Sequence, residues 1–434
     1  MAGVGEVAVL EVVLTAGCNL RCSYCYQNDK KNRRMSWQTL RGALDLLLAS
    51  RQPFVDVLFL GGEPLLELDL MRRAVDYLRD SPRGGERVSL AIVTNGTLLG
   101  EQEIAFLARH RFAVQLSFDG VAAAQGLRGA GTFDLLDALV GRLLEEPWVG
   151  ENGRLTVTMM LSPATVPHLV DSVDYFLRRG VPQFDIAPVI TPDPRWRPER
   201  IGELEAAFER VLDSCVAHYR RTGRIPYRLF RRDAGQDVHA PVGDAMCGAP
   251  SGHALAVDVD GQVHGCAVFT ESYQRFPSPF LAQHVEALRL GDFRAPEFPA
   301  RLARYPDAAR ATALFHGKTG KRSSYGACAD CRFLATCAIC PAAIGHLPGN
   351  TDPDRVPDFP CAFNLASLAC RERFPARPSA LELLSGERRA VGPLRQVQER
   401  LLALRRSVQR PGALSAAAAR GRRRREGAPR ARHR

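Results

Sequence analysis

The stretch Val7-Ala-Val-Leu-Glu-Val-Val-Leu14-Thr-Ala-Gly17-Cys18-Asn-Leu-Arg-Cys22-Ser-Tyr-Cys25 decides the fold. Residues 7–14 are apolar and rich in β-branched side chains, which predicts a buried strand. Thr15-Ala16-Gly17 breaks that run, so three thiols within eight residues follow on a loop at the strand's C-terminal end. Sheets with parallel strands bind ligands at that end. A 4Fe–4S cube takes one thiolate per iron, so three cysteines would leave one iron open to a substrate or second cofactor. The alternative for the bare triplet is an incomplete zinc site or a buried cysteine cluster, although zinc favours Cys-x2-Cys pairs over an x3-then-x2 spacing.

Working outward, five more runs read as strands: residues 55–60, 88–93, 113–118, 155–161 and 184–189. Helical patterns fall between them at 36–50, opened by an N-cap at Ser36, and at 66–78, 101–110, 132–144 and 166–179. This βα alternation predicts an α/β fold, a parallel sheet with helices outside it. Polar and glycine residues gather at the strand ends: Gly61-Gly62-Glu63-Pro64, Thr94-Asn95-Gly96 and Ser117-Phe118-Asp119-Gly120. Each alone could be an ordinary turn. Together with the cysteine loop they would ring one pocket.

The chain has 434 residues, enough for two or three domains, and 46% hydrophobic residues, enough for a sizeable core. It contains no run of about 18 apolar residues, so no membrane span is expected. The opening Met1-Ala-Gly-Val-Gly-Glu6 lacks a basic segment followed by an apolar one, so no signal peptide is expected and the cytoplasm is the expected location. In that compartment the twelve cysteines are better metal ligands than disulfides. The net charge of +11 is mostly local, because residues 420–434 hold eight arginines and one glutamate. Such a tail is expected to be disordered and says little about the catalytic core. Aromatic–basic interleaving of the nucleic-acid-binding kind is absent from the core.

After Val189 a proline-rich crossing loop (191–198) leads to an amphipathic helix (201–220), in which Cys215 reads as a core residue. A basic, irregular linker follows. The second half then reads Cys247-x13-Gly261-x4-Cys266, and after a gap Cys328-x2-Cys331-x5-Cys337-x2-Cys340, Cys361 and Cys370. Residues 254–266 predict a β-hairpin turning at Asp260-Gly261, which would bring Cys266 back toward Cys247. Without context the four close cysteines fit a zinc ribbon as well as an iron–sulfur site.

The cysteine triplet, with Tyr24 as the aromatic residue before its last member, and the later Gly61-Gly62-Glu63-Pro64 together resemble the signature of the radical S-adenosylmethionine (SAM) superfamily. The cysteines of the second half resemble the SPASM extension of its peptide- and protein-modifying members, related to anaerobic sulfatase-maturating enzymes. The resemblance implies a partial (β/α)6 TIM-like barrel followed by a small cysteine-rich auxiliary iron–sulfur domain. The corresponding division is a core at 1–222, a linker at 223–246, the SPASM domain at 247–372, a helical segment at 373–410 and the Arg-rich tail at 411–434. It also implies a 4Fe–4S cluster on Cys18, Cys22 and Cys25 with SAM at its open iron. Gly61, Gly62, Glu63 and Pro64 would line the methionyl amine, where glycines let backbone carbonyls approach. Asn95 would belong to the same pocket. Ser117, Asp119 and Gly120 match the family's Ser-x-Asp-Gly stretch, with Ser117 reaching the SAM carboxylate or ribose. Arg128 matches an arginine that pairs with that carboxylate, a task suited to a planar, permanently charged group. The acidic residue that relatives often carry between these points is missing from Val121-Ala-Ala-Ala-Gln125.

For the extension, the resemblance implies two auxiliary 4Fe–4S clusters. Cys328, Cys331, Cys337 and Cys361 would hold the outer one, and Cys247, Cys266 and Cys340 the inner one. The last interval of the four-cysteine group is x2 where the family has x3. The fourth inner ligand is not given by the motif: His253 lies where some relatives have a further cysteine, and an open iron is the alternative. Cys370 is either core or a spare ligand. The implied reaction is reductive cleavage of SAM to a 5′-deoxyadenosyl radical, which takes hydrogen from a peptide or protein side chain. Two subclasses compete, formylglycine formation in sulfatases and oxidative cross-linking of a ribosomally made precursor. Many sulfatase maturases carry an aspartate directly after the Gly-x4-Cys cysteine; here Ala267 follows Cys266, which favours cross-linking. A tRNA-modifying enzyme and a non-catalytic zinc scaffold are the alternatives from other classes. The expected partners are the peptide or protein substrate and a flavodoxin- or ferredoxin-like electron donor. The first strand begins near Val7 and leaves no room before it for a peptide-recognition domain, so the precursor is expected to be recognised by a separate protein or by the SPASM and tail regions. No catalytic base is identified.

Overall fold

The structure, a computed structural model, describes residues 6–27, 30, 32–150, 154–231, 245–273, 279–286 and 288–375. The expected helical segment beyond 375, the Arg-rich tail and most of the 223–246 linker lie outside the described residues. The chain divides into two compact units, residues 1–377 and 378–434, and the description concerns the first.

Six strands form where the apolar runs predict them: β1 (Val9–Thr15), β2 (Val55–Gly61), β3 (Val88–Thr94), β4 (Ala113–Ser117), β5 (Leu155–Leu161) and β6 (Phe184–Pro188). They pair in parallel in the order β6-β5-β4-β3-β2-β1. The crossovers carry helices α1 (Trp37–Leu48), α2 (Leu68–Asp80), α3 (Glu101–Arg109), α4 (Thr132–Glu145) and α5 (Leu169–Arg179). Ser36 caps α1 as expected, its hydroxyl accepting from the Thr39 amide at 3.1 Å.

The register sorts the strand residues into two unlike faces. Val12, Phe59, Ile92, Val114 and Leu155 lie in one row across five strands, each at most 1% exposed. With the apolar faces of the helices they make the main core, each such side chain contributing roughly 1.5–3 kcal/mol by leaving water. The opposite face mixes polar and small residues with apolar ones such as Leu58, Val93 and Met160. Its rows include Glu11–Leu58–Ala91, Gln115–Thr156 and Ser117–Thr158–Asp185. This second face lines the concave interior of the partial barrel.

The barrel does not close β6 onto β1. The free edge of β1 instead receives β7 (Ala254–Val257) in parallel, with Glu11 opposite Ala256. Strands β8 (Gln262–His264) and β9 (Gly291–Asp292) continue the sheet antiparallel. The predicted hairpin is therefore present, with one difference. The Asp258 amide still bonds Gln262 O at 2.9 Å, so the turn is the three-residue loop Val259-Asp260-Gly261, closed by Gly261 at φ +93°. Farther on, helix α6 (Ile201–Thr222) packs against α7 (Asp358–Arg373) through Phe208 and Phe363, whose ring centroids are 5.4 Å apart. Cys215 and Cys370 are buried in these two helices. No helix among the described residues is long and apolar enough to cross a membrane.

Two stability predictions follow from this packing. Gly96 has φ +77°, and a Cβ there would lie 2.5–2.9 Å from Leu116, Leu136 and Leu139. Gly96→Ala is expected to cost about 2–4 kcal/mol in urea unfolding, from backbone strain plus overpacking. His346 is 7% exposed, and burial pushes its imidazole down to about 4. A depressed histidine means the unfolded chain binds more protons between pH 6.5 and 4, so stability falls as the pH drops through that window. Between pH 7 and 5 the protein should lose about 2 kcal/mol more than its His346→Phe variant does.

Candidate active site

The loops after β1, β2 and β3 interlock through backbone. Gly62 N donates to Thr15 O and Glu63 N to Gly17 O, both at 2.9 Å. A Cβ on Gly61 would lie 2.4 Å from Thr15 O, and one on Gly62 would lie 2.1 Å from Gly17 O and 2.9 Å from the Cys18 Cβ. Only glycines let the second loop lie against the thiol loop this closely. Asn95 adds the third loop: its Nδ2 donates to Asn19 Oδ1 at 2.8 Å and stands 3.9 Å from Cys18 Sγ.

Glu63 is fully buried within this junction. Its carboxylate accepts from Leu65 N (3.1 Å), Thr94 Oγ1 (2.8 Å) and Asn95 N (2.8 Å), tying β2 to β3. Burial outweighs these donors and pushes the carboxyl up to about 7. What the Gly61–Pro64 loop presents outward is thus backbone, while the Glu63 side chain is engaged inside the protein.

A second buried charge fixes the far side. Asp119, fully buried, accepts from Arg128 Nη2 and Met160 N, both at 2.9 Å, and from the Tyr24 hydroxyl. The Arg128 guanidinium lies 5.5 Å from the Tyr24 ring centroid. Burial opposes the charge on Arg128, but the Asp119 carboxylate outweighs it and holds the guanidinium more firmly protonated. Arg128 Nε is nevertheless buried without a partner, as is Thr158 Oγ1 on the interior face beside Ser117. Gln125 stands where the acidic residue was missing. Its Oε1 accepts from Asp119 N at 3.0 Å and its Nε2 donates to Thr132 Oγ1 at 2.9 Å, a brace that the alanine-rich sequence did not reveal.

The cysteine loop sits between these two braces. Burial raises the Cys18 and Cys22 thiols; the Leu20 amide and Lys30 ease Cys18, and Arg128 eases Cys22. Both also feel Cys25, so the three thiols share one electrostatic neighbourhood. Three soft donors, nearby cations and an orphaned Arg128 donor suit an iron–sulfur cube whose free corner holds an anionic ligand.

The later cysteines fall into two further groups. Cys266 is raised by burial and then by Glu11, Cys340 and Cys247. Burial pushes Cys340 up to about 11, against the amides of Ala342 and Ala343. In the other group, burial pushes Cys337 up to about 12 and Cys361 to about 11, and both feel Cys328 and Cys331. Asn364 Nδ2 reaches Cys337 Sγ at 3.4 Å, and Ser323 Oγ lies 3.2 Å from Cys361 Sγ. His253 is exposed, its Nδ1 lying 3.1 Å from Glu6 O, and it does not join the inner group. Among the described residues, no three His, Cys, Asp or Glu side chains gather closely enough to hold a single ion.

Several neighbours of these thiols escaped the sequence. Tyr26 stacks on Tyr273 with centroids 5.5 Å apart, and the Tyr273 hydroxyl donates to Gly61 O at 2.9 Å. Tyr26 feels Cys25 of the first thiol group and Cys266 and Cys340 of the inner one, so it adjoins both. Tyr305, 4% exposed, adjoins Cys247 and Cys266. A Cβ on Gly265 would meet its hydroxyl at 2.0 Å. Gln27 Nε2 donates to Ala16 O (2.7 Å) and Ser272 O (3.2 Å), pinning the thiol loop to the segment that follows the hairpin.

Residues 12–139 match the family described as the radical SAM superfamily. The GTP 3′,8-cyclase of Mycobacterium sp. (strain KMS) is 30% identical over 280 residues, covering 60% of this chain and 76% of that protein. The cysteine-type anaerobic sulfatase-maturating enzyme of Clostridium perfringens (strain 13 / Type A) is 30% identical over 114 residues, 24% of this chain and 31% of the enzyme. A solved structure, native anSMEcpe with bound AdoMet and Cp18Cys peptide, has a TM-score of 0.64 at 17% identity. That likeness covers 84% of this chain and 98% of that one, and it extends the shared fold through the cysteine-rich half. Sequence match, relative and fold agree with the thiol loop at the end of β1, and the chain belongs to the radical SAM superfamily of enzymes.

Proposed function

We propose that Cys18, Cys22 and Cys25 hold a 4Fe–4S cluster with SAM at its open corner, and that the enzyme oxidatively cross-links a ribosomally made precursor peptide. When bound, that pair supplies a 5′-deoxyadenosyl radical able to take hydrogen from unactivated carbon. The observation that carries this reading is the three-thiol loop set beside a buried, partly unpartnered guanidinium.

The chain's own groups divide the remaining work. Arg128, clamped by Asp119, keeps its Nε for a carboxylate, and Tyr24 and Gln125 hold that clamp in place. The Gly61–Pro64 backbone offers carbonyls to an ammonium. Ser117 and Thr158 present hydroxyls on the interior face for the ribose. The apolar residues Leu58, Val93 and Met160 on the same face keep water from the reacting carbon.

Two features support a peptide over a nucleotide as substrate. The strand residues of the interior face include the acids Glu11 and Asp185 and no lysine or arginine, a poor surface for a triphosphate. The seven thiols of the inner and outer groups fit two auxiliary clusters, and anSMEcpe, which shares the fold, is described with a bound peptide. A flavodoxin- or ferredoxin-like protein in the cytoplasm is the proposed electron source.

Two experiments test this reading. After anaerobic reconstitution, Cys18→Ala/Cys22→Ala/Cys25→Ala should lose roughly a third of the iron and all deoxyadenosine formation. With a short cysteine- or aromatic-rich peptide encoded beside the gene, mass spectrometry should record a loss of about two hydrogens, the balance of one oxidative bond. Equal iron in wild type and the triple variant would sink the assignment. Arg128→Lys keeps the charge but loses the planar fork, so SAM affinity in anaerobic equilibrium dialysis should fall about tenfold to a hundredfold, with iron content unchanged.

A further inference from the structure

A short, tightly held piece of chain joins the inner thiol group to the thiol loop of β1. It begins at Cys266, just past the β7–β8 hairpin, and runs to Tyr273. Ala267 N donates to Glu11 Oε2 on β1 at 2.6 Å, which anchors its start. Residues Ala267–Phe269 then form a 3-10 turn. Thr270 closes on that turn, its N and Oγ1 donating to Ala267 O at 2.9 and 2.7 Å, and Tyr273 N donates to Thr270 O at 3.1 Å. Ser272 N donates at 3.0 Å to Oδ2 of Asp258, a fully buried carboxylate of the hairpin. Thr270, Ser272 and Tyr273 are all buried. Two successive tight turns and a buried acceptor leave this piece little freedom.

The far end of the piece is fastened to two of the loops that frame the first thiols. The Tyr273 hydroxyl donates to Gly61 O at 2.9 Å, the first carbonyl of the glycine loop. The Tyr273 ring stacks on Tyr26, the residue after Cys25, with centroids 5.5 Å apart and planes 22° from parallel. Gln27, itself buried, bridges Ala16 O and Ser272 O, so both ends of the thiol loop are tied to the same place. The sheet does not hold Gly61 unaided. The register of β1 on β2 shifts between Val13 and Thr15, at the very end where Thr15 meets Gly61. A glycine has no side chain to fix its peptide plane, and here the Tyr273 hydroxyl supplies that hold.

We propose that Tyr273 is a positioning residue that couples the inner thiol group to SAM binding: once Cys247, Cys266 and Cys340 hold their cluster, the piece from Cys266 to Tyr273 is locked and its hydroxyl sets the glycine loop for the SAM ammonium. This rests on the cluster and SAM assignments proposed above. Ligation removes the freedom of Cys266, and the bonds within the following turns carry that order to Tyr273. With the inner site empty, part of the SAM binding free energy goes into ordering this piece and the loop it holds. The coupling is reciprocal, so bound SAM makes the inner cluster harder to remove. Tyr273 acts through Gly61 and exchanges neither proton nor electron.

The test measures SAM affinity of the full-length, anaerobically reconstituted protein, by equilibrium dialysis and by the change SAM causes in the electron paramagnetic resonance signal of the reduced first cluster. Tyr273→Phe keeps the ring and loses one hydrogen bond. It should retain full iron and an unaltered first-cluster signal without SAM, and need about threefold to tenfold more SAM for half-saturation. Cys247→Ala/Cys266→Ala/Cys340→Ala should lose the inner iron, keep the first cluster and bind SAM more weakly by at least that factor. Adding Tyr273→Phe to this variant should cost nothing further. Unchanged SAM affinity in Tyr273→Phe would overturn the proposal, as would the same loss with and without the inner cysteines. If the triple variant fails to fold, the reciprocal effect decides. Saturating SAM should slow loss of the inner cluster's signal to a chelator in the wild type, and about threefold to tenfold less in Tyr273→Phe; equal protection in both overturns the coupling. Failure of the underlying assignment looks different, since wild-type protein would then bind no SAM or hold no inner iron.

Discussion

Strand β1 is hydrogen-bonded along both edges, and the rest of the site depends on it. On one side it pairs with β2, whose end carries Gly61 and Gly62. On the other it pairs with β7, whose hairpin leads to Cys266. The three-thiol loop leaves the end of this same strand. One strand therefore sets the distance between the first thiols, the glycine loop and the inner thiols. A parallel pair along Val9–Val12 leaves no freedom to slip, because a shift of one residue would turn Glu11 into the helix-packed core and Leu10 or Val12 into the polar interior.

Around that strand, buried charge is used in pairs or networks. Asp119 and Arg128 neutralise one another, and Tyr24 and Met160 N satisfy the remaining acceptor sites. Glu63 has no cation but has three donors, and its carboxyl is correspondingly raised. Breaking either network would strand a buried polar group, which costs more than the intact network contributes. This explains why loops at the ends of four separate strands can be rigid enough to shape one pocket.

Much of the barrel was legible in the chain. The six strands are buried on at least one face, so each appears as a short apolar run; where the other face turns inward, single polar residues such as Gln115 and Thr158 interrupt it. Ser36 announced its helix because a side-chain oxygen must cap the open amides. The thiol spacing was equally plain, since metal chemistry needs those side chains close together. Other features had no local signature. Glu11 is one acid in an apolar run, Gln125 one amide among alanines, and Tyr273 one ring in a polar stretch. Their roles come from partners 6 to 256 residues away in sequence or from burial, which local periodicity does not report.

From the sequence alone come the alternation of strand and helix, the order of the elements and the identity of the thiol-bearing loops, because these follow from side-chain periodicity and donor chemistry over a few residues. The tertiary structure decided which edge of β1 the hairpin takes, that Glu63 faces into a brace rather than a pocket, that His253 turns away, and that Tyr273 reaches the glycine loop. Those outcomes depend on packing between segments up to hundreds of residues apart, where desolvation and tertiary pairing, rather than local preference, choose the neighbour.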